Sequence, residues 1–261
     1  MALAEVGTMR ITERDRRMLA FAAEHRFVLA DQVAMLLAIS TRAATDRLRV
    51  LRDAGYLTAG DLFNDEPSHY QVTPPGRRAI SSDLPRPRKL DPSLYRHDVG
   101  MAWLAVAAER GMFGPLAQIV SERRMRSQDG RADDGQAPFG VRLGAAGRDG
   151  RPRLHYPDLV LVTDTGHRVA FELELTLKEP RRRERILAAY AANKRIDAVV
   201  YLVDHPARRR AMQDSVRRVG IADRVRVELV TLGRRPESPA PGRRAAQRSA
   251  GRGAPTTGAA R

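Results

Sequence analysis

Tyr156-Pro-Asp-Leu-Val-Leu-Val162, then Asp164-Thr-Gly-His167, then Arg168-Val-Ala-Phe-Glu-Leu-Glu-Leu-Thr176 decide how the larger part of this chain is read. An apolar run, a turn, and a run alternating charged with apolar side chains describe a β-hairpin. Strand side chains alternate between faces, so Glu172 and Glu174 share one face, and Asp158 opens the partner strand. A hairpin of this kind brings three carboxylates together. Like charges at that distance repel, and an oxygen cluster of this type is commonly explained by a bound Mg²⁺ or Mn²⁺. The plainer alternative is a half-exposed strand whose acids pair with Arg168 or with Arg181 to Arg185, an ion-pair surface worth little.

Outward from the hairpin, the elements alternate. Arg96 to Gly111 reads as a helix with Val99, Trp103 and Val106 on one stripe, and Ala117 to Glu122 as a strand. After the hairpin come a helix over Pro180 to Lys194 carrying Ile186, Leu187 and Tyr190, and a buried-type strand over Ala198 to Val203. A helix over Pro206 to Val219 and a strand over Val225 to Leu232 follow. The order is α-β-β-β-α-β, then α-β. Ser127 to Gly150 is rich in Gly, Asp and Arg and reads as a flexible insertion.

The front of the chain, residues 1–83, has a different order. Thr12 with Asp15 three residues later opens a helix bearing Met18, Leu19 and Ala22. Ala30 to Leu37 is a second, and Ser40-Thr41 starts a third that stops near Gly55. Tyr56 to Phe63 and His69 to Thr73 are short strands around a turn at Asn64 to Pro67. Three helices followed by a hairpin is the winged helix-turn-helix order. In the third helix Ala44, Leu48 and Leu51 form the inward stripe, while Arg42, Thr45, Arg49 and Arg52 fall on another face. Such a face suits a recognition helix, with the wing near His69 and Arg77 meeting phosphate. A solvated face whose arginines pair with Asp46 and Asp53 is the plainer reading.

Between the halves, residues 84–93 are proline-rich and read as an extended linker, and residues 234–261 as a disordered basic tail. The 261 residues carry 46 Lys+Arg against 31 Asp+Glu, a formal charge of +15. Only three of the cations are lysines, Lys89, Lys178 and Lys194. The charge is uneven: residues 1–83 are balanced at 11 basic against 11 acidic, whereas 234–261 hold seven Arg and one Glu. A front module that binds DNA does so through a local face. With no Cys, disulfides, thiolate metal sites and cysteine nucleophiles are excluded. Gly-x-x-x-x-Gly-Lys-Ser/Thr and Gly-x-Ser-x-Gly are missing too, which removes phosphate-loop nucleotide hydrolysis and esterase chemistry. His97 reads first as a capping or core histidine, and scattered His155 and His167 do not suggest zinc. No window reaches the length of an apolar membrane span, and the start lacks a signal peptide's apolar stretch. The expectation is a soluble, cytoplasmic protein with no membrane partner.

Ser40 to Leu57, followed by His69 to Ile80, resembles bacterial winged-helix DNA-binding domains, with helix, Gly-Tyr-Leu and a Tyr-x-x-Thr-x-x-Gly segment in order. Winged helices also serve as protein-interaction modules. Pro157-Asp158, a spacer and Glu172-x-Glu174 within α-β-β-β-α-β resemble the PD-(D/E)xK nuclease-like superfamily. That resemblance implies Asp158 and Glu172 as metal-binding acids, with Glu122 as a further acid. Glu174 stands where most members have Lys, although some restriction enzymes of this fold carry Glu there. Lys178 or Lys194 would then replace the lysine, and Glu174 would be ligand or general base.

Together the halves are similar to the actinobacterial replication-relaxation family. The ordered matches are His97 with Trp103, Ser121-Glu122-Arg123, Pro157-Asp158, Glu172-Leu173-Glu174 with Thr176, and Tyr190 with Lys194. The similarity implies an α/β (α+β overall) chain: a winged helix over 1–83, and a restriction-endonuclease-like domain over 94–233 with its insertion near 127–150. It also implies plasmid or mobile-element DNA handling on double-stranded DNA. Arg181, Arg182 and Arg185 would add a second basic surface, and Mg or Mn would serve an endonuclease or nickase. A homodimer, or plasmid replication or transfer proteins, are the protein partners it suggests. The non-enzymatic alternative is a transcriptional or plasmid regulator with a silent C-terminal domain.

Overall fold

Thr12 and Asp15 close a reciprocal cap at the first helix. Thr12 Oγ1 accepts from Asp15 N at 3.2 Å, and Thr12 N donates to Asp15 Oδ2 at 2.9 Å. This computed structural model describes residues 10–64, 66–132, 137–144, 147 and 152–232. The capped helix is α1 (Glu13–Glu24). It is followed by β1 (Val28–Leu29), α2 (Ala30–Leu37), α3 (Thr41–Asp53), β2 (Leu57–Gly60), β3 (His69–Val72) and α4 (Pro74–Ala79). Strand β3 lies between β1 and β2, antiparallel to both. Met18, Leu19 and Ala22 of α1, Val33 of α2, and Ala44, Leu48 and Leu51 of α3 make the core beneath them. Gly55, at φ +78, ends α3 in the left-handed conformation that glycine adopts without steric cost.

Gly76 is fixed by a close approach. A Cβ there would stand 2.2 Å from Tyr56 O and 2.9 Å from Val72 Cγ2. Thr73 clamps the same turn: its Oγ1 donates to Gly55 O at 2.6 Å and accepts from Gly76 N at 3.1 Å. Gly76→Ala is therefore expected to destabilise the chain by about 2 kcal/mol, a typical cost of overpacking. Urea denaturation would read it, and an unchanged midpoint would show that the turn yields freely.

A 3₁₀ turn at Pro92–Leu94 leads into α5 (Tyr95–Glu109), β4 (Leu116–Ser121) and α6 (Glu122–Asp129). Then come β5 (Val141–Arg142), β6 (Leu154–His155), β7 (Leu159–Thr163) and β8 (Arg168–Glu174). The last elements are α7 (Pro180–Ala192), β9 (Ala198–Val203), α8 (Pro206–Val219) and β10 (Val225–Leu229). The large sheet runs β10-β9-β8-β7-β4. Strands β4, β7 and β8 are antiparallel neighbours, and β9 and β10 continue parallel to β8. Met125 of α6, Ile186, Leu187 and Tyr190 of α7, and Met212 and Val216 of α8 share a core with Val160 and Ala170 of the sheet. Among the described residues no helix is long and apolar enough to cross a membrane. The architecture is mixed α/β.

The halves that sequence separates at 84–93 belong to one compact unit, Met1–Val230. Helix α5 explains this. It packs against α2 on one side and against β4, β7 and β8 on another. Ala102, Ala105 and Val106 lie in the core of the front half, where Leu84 is also buried. A helix with apolar residues on more than one face packs on more than one side, and the single stripe of Val99, Trp103 and Val106 is only part of the packing of α5. Gln32, fully buried on α2, donates through Nε2 to Val99 O at 3.1 Å. A second unit, Thr231–Arg261, is described only at Thr231 and Leu232, so the expected basic tail at 234–261 lies outside the described residues.

The expected insertion at 127–150 is corrected in part. Helix α6 runs to Asp129, whose buried carboxylate accepts from Gly140 N at 2.7 Å. Phe139 and Val141 enter the core beside the β5–β6 pair. Residues 133–136, 145–146 and 148–151 of that stretch lie outside the described residues.

Candidate acid site and nucleic-acid surfaces

Register places the acids at one sheet edge. Leu159 pairs with Phe171 and Asp158 N donates to Phe171 O at 3.1 Å, so Asp158 comes level with Glu172 just outside β7. Glu172 and Glu174 end β8, at the carboxyl edge of the parallel pair β8–β9. Open α/β sheets bind ligands at such edges. Both glutamates are 3% exposed.

Each acid has a different set of partners. Asp158 Oδ2 accepts from Leu173 N at 2.8 Å and lies 3.1 Å from His97 Nε2 of α5. Glu172 Oε1 accepts from the buried Tyr190 hydroxyl of α7 and lies 2.5 Å from His155 Nε2 of β6. Glu174 Oε2 accepts from Lys178, four residues on. Asp158 thus turns toward α5, and Glu172 toward α7 and β6.

The electrostatics follow. Burial opposes ionisation of Asp158, but His97, the Leu173 amide and Lys178 hold its carboxyl below the ordinary value. Burial also pulls His97 down, yet hydrogen bonds and charge from Asp158 and Asp98 prevail and push it up to about 10. His155 is raised by Glu172 against its own burial. Burial, then the like charges of Glu172 and Asp158, lift Glu174 above the ordinary glutamate value, with Lys178 opposing. Burial and the Glu172 charge push the Tyr190 and Tyr201 phenols well up, so both hydroxyls keep their protons, and that of Tyr190 donates to Glu172.

No family model matches the chain, and no curated protein matches it significantly.

Glu122 is not a strand residue. It opens α6, because Ser121 caps that helix by accepting from Arg124 N at 3.1 Å. Its carboxylate is held by Arg26 at 3.1 Å and Arg126 at 2.8 Å, while its amide donates to Asp158 O at 3.1 Å. A cavity of about 30 Å³ is lined by Glu24, Arg26, His97, Asp98, Glu122 and Asp158, among others, so Glu122 does face the neighbourhood of Asp158. Lys178 is at the acids. Lys194 instead lines a surface hollow with Gly166, Arg168 and Asp197. Among the described residues no group of three or more acids and histidines is arranged to hold a metal as it lies.

The arginine faces are also resolved. On α3, Arg42 is 93% exposed and Arg49 59%, each loosely paired with Asp46 at 3.9 and 3.7 Å. Arg52 bonds Asp53 at 2.7 Å. Thr45 is half-buried and donates back to Thr41 O at 2.8 Å. On α7, Arg181, Arg182 and Arg185 are exposed, whereas Arg183 is buried, donating to Ser215 Oγ at 2.9 Å. The wing residues differ from expectation. His69 is 9% exposed, packed edge-on against Phe27, because β3 is the middle strand and is covered. Arg77 is half-buried and donates to Leu84 O at 2.6 Å. Neither presents an open cation to a phosphate.

Sequence reasoning did not single out Arg26, Asp98 or Tyr201, and gave Tyr190 and His155 no part beside the acids. The signal for His155 was its place directly before Tyr156-Pro157-Asp158. Nothing local marked Arg26.

Proposed function

We propose that this chain is a duplex-DNA-binding protein of plasmid or mobile-element replication or relaxation. Its front half would be a winged helix and its second half a PD-(D/E)xK nuclease-like module, as in the replication-relaxation family it resembles. The observation that carries the reading is the placement of Asp158, Glu172 and Glu174 at one carboxyl edge of the mixed sheet, Asp158 level with Glu172. The exposed Arg181, Arg182 and Arg185 of the next helix support it. The front half contributes Arg42 and Arg49, whose exposed pairings are weak enough to exchange for phosphate.

The acids fit a hard divalent cation in donor chemistry. Among the described residues, hydrogen bonds engage Oδ2 of Asp158, Oε1 of Glu172 and Oε2 of Glu174, and each carboxylate has a second oxygen. Asp158 and Glu172 would hold Mg²⁺ or Mn²⁺, with Glu174 as ligand or proton acceptor. Such an ion supplies Lewis acidity toward a phosphodiester and a more acidic water. The chain's own part is to orient: Tyr190 and His155 fix Glu172, His97 fixes Asp158, and Lys178 offers a cation beside Glu174.

Incubation of supercoiled plasmid with Mg²⁺ or Mn²⁺ tests this. Nicking by the wild type and its loss in Asp158→Ala are expected; no nicking with either metal would remove the enzyme reading. A second reading, a regulator with a silent second half, is favoured by each acid's already having a donor from its own chain. It keeps duplex binding and loses cleavage. For DNA binding, Arg49→Ala is expected to weaken affinity across sequences and to lower the log–log salt slope by about 1. Unchanged affinity and slope would remove α3 as the reading helix.

A further inference from the structure

Arg26 stands between α1 and β1 at φ +62, a left-handed conformation that a non-glycine residue holds only when its surroundings compel it. Its carbonyl accepts from Gln71 Nε2 of β3 at 3.2 Å, which ties it to the front sheet. Its side chain points the other way, into the second half. Nη1 donates to both oxygens of Asp98 at 3.1 and 3.2 Å, and Nη2 to Glu122 Oε2 at 3.1 Å. Asp98 Oδ1 lies 3.6 Å from His97 Nδ1, and His97 Nε2 lies 3.1 Å from Asp158 Oδ2. Glu122 reaches Asp158 by a separate route, from its amide to the Asp158 carbonyl at 3.1 Å.

We propose that Arg26 is a positioning residue for Asp158, acting through Asp98 and His97 on the side chain and through Glu122 on the main chain. The inference rests on reading Asp158 as an acid of the site. The planar guanidinium matters because its fork meets two acids at once, Asp98 on one nitrogen and Glu122 on the other; a lysine ammonium is a single point charge. His97 meets Asp158 within hydrogen-bond distance at Nε2 and has Asp98 within ion-pair range at Nδ1, so its ring is biased from both sides and, with the Leu173 amide, orients Asp158. The front half therefore sets the carboxylate of the second half through one residue of a backbone corner. A displacement of that corner when the front half engages a duplex would be transmitted to Asp158.

Other ion pairs join the same halves without touching His97. Arg124, which meets Glu24 at 2.6 Å and Asp83 at 2.5 Å, supplies the control. The experiment uses the full chain with isotope-labelled histidine ring nitrogens, read by NMR, with the His97 signals identified by their loss in His97→Gln. Arg26→Gly removes the side chain while suiting the backbone, and Asp98→Asn breaks the same link with little change of shape. Both are expected to displace the His97 ring resonances. Arg26→Lys is expected to displace them less, and Arg124→Ala to leave them in place.

His97 resonances unmoved in Arg26→Gly, or moved equally by Arg124→Ala, would overturn the inference. Where the wild type nicks plasmid, Arg26→Gly is also expected to slow nicking by about 10–100-fold, as loss of a group orienting a ligand does, with duplex affinity unchanged. Where the wild type does not nick, the nuclease reading fails, and the ring resonances still decide whether Arg26 positions Asp158.

Discussion

Asp15→Ala is expected to cost the folded chain about 3 kcal/mol at neutral pH, the range for breaking a buried pair by removing one partner. Asp15 has no exposed surface. Its carboxylate receives Arg47 Nε at 2.6 Å and Nη2 at 2.5 Å in a two-pronged pairing, and also receives Thr12 Oγ1 at 2.7 Å. One side chain thus caps α1 and ties it to α3. Arg47 keeps about a third of its surface in water and can swing out when Asp15 is gone, which limits the loss. Burial works against the charge of Asp15, but Arg47 and Thr12 outweigh it and hold its carboxyl below the ordinary 3.8. A carboxyl lowered in the folded state contributes stability above its unfolded value and loses it as pH falls through the lower folded value. Denaturation curves of wild type and Asp15→Ala should therefore stand apart at neutral pH and converge in acid below the ordinary aspartate range. A gap that persisted there would mean that packing, not charge, accounts for the loss.

The Asp15–Arg47 tie also shows where sequence falls short. The cap was legible, since Thr12 and Asp15 are local, but Arg47 was hidden among the arginines of a helix whose outward face drew attention. Local signals placed α2, β9 and α8 at their observed bounds, because period, caps and β-branched runs agreed there. The two-residue spacing of Glu172 and Glu174 likewise gave their common face. Most of what failed was non-local, and two misreadings were local. The strand β1 is two residues long and invisible as a pattern, yet it makes β3 a middle strand and buries His69. Ser121 both ends β4 and caps the next helix, so Glu122, expected at the end of the strand, opens α6 instead. Asp158 is expected to open the partner strand but lies just outside β7, level with Glu172, and its turn toward His97 depends on α5 lying against both halves. Thr45 was counted as outward, whereas its hydroxyl returns to the helix backbone.

Lys178→Met is expected to destabilise the chain by about 3 kcal/mol at neutral pH, with a gap that opens as pH rises, as for Asp15→Ala, although the carboxyl concerned is shifted the other way. Glu174 is 3% exposed and Lys178 is its cation. Burial lifts the Glu174 carboxyl above 4.5, Glu172 and Asp158 add to the rise, and Lys178 restrains it. A carboxyl raised in the folded state favours folding while protonated; that contribution is present below the unfolded value and lost as pH rises through the folded one. Without Lys178 the folded value climbs further, so more stability is forfeited on the way to neutrality. Wild type and Lys178→Met should therefore melt alike in acid near the ordinary glutamate value and separate as pH rises. Glu174→Gln in the Lys178→Met background should recover most of the loss, because no buried charge then remains unanswered. An equal deficit at acid and neutral pH, or no recovery in the double variant, would show that the lysine stem matters for packing alone. The same pair bears on the acids' use: a divalent ion that restores stability to Lys178→Met, and not to the double variant, would be substituting for the ammonium at Glu174.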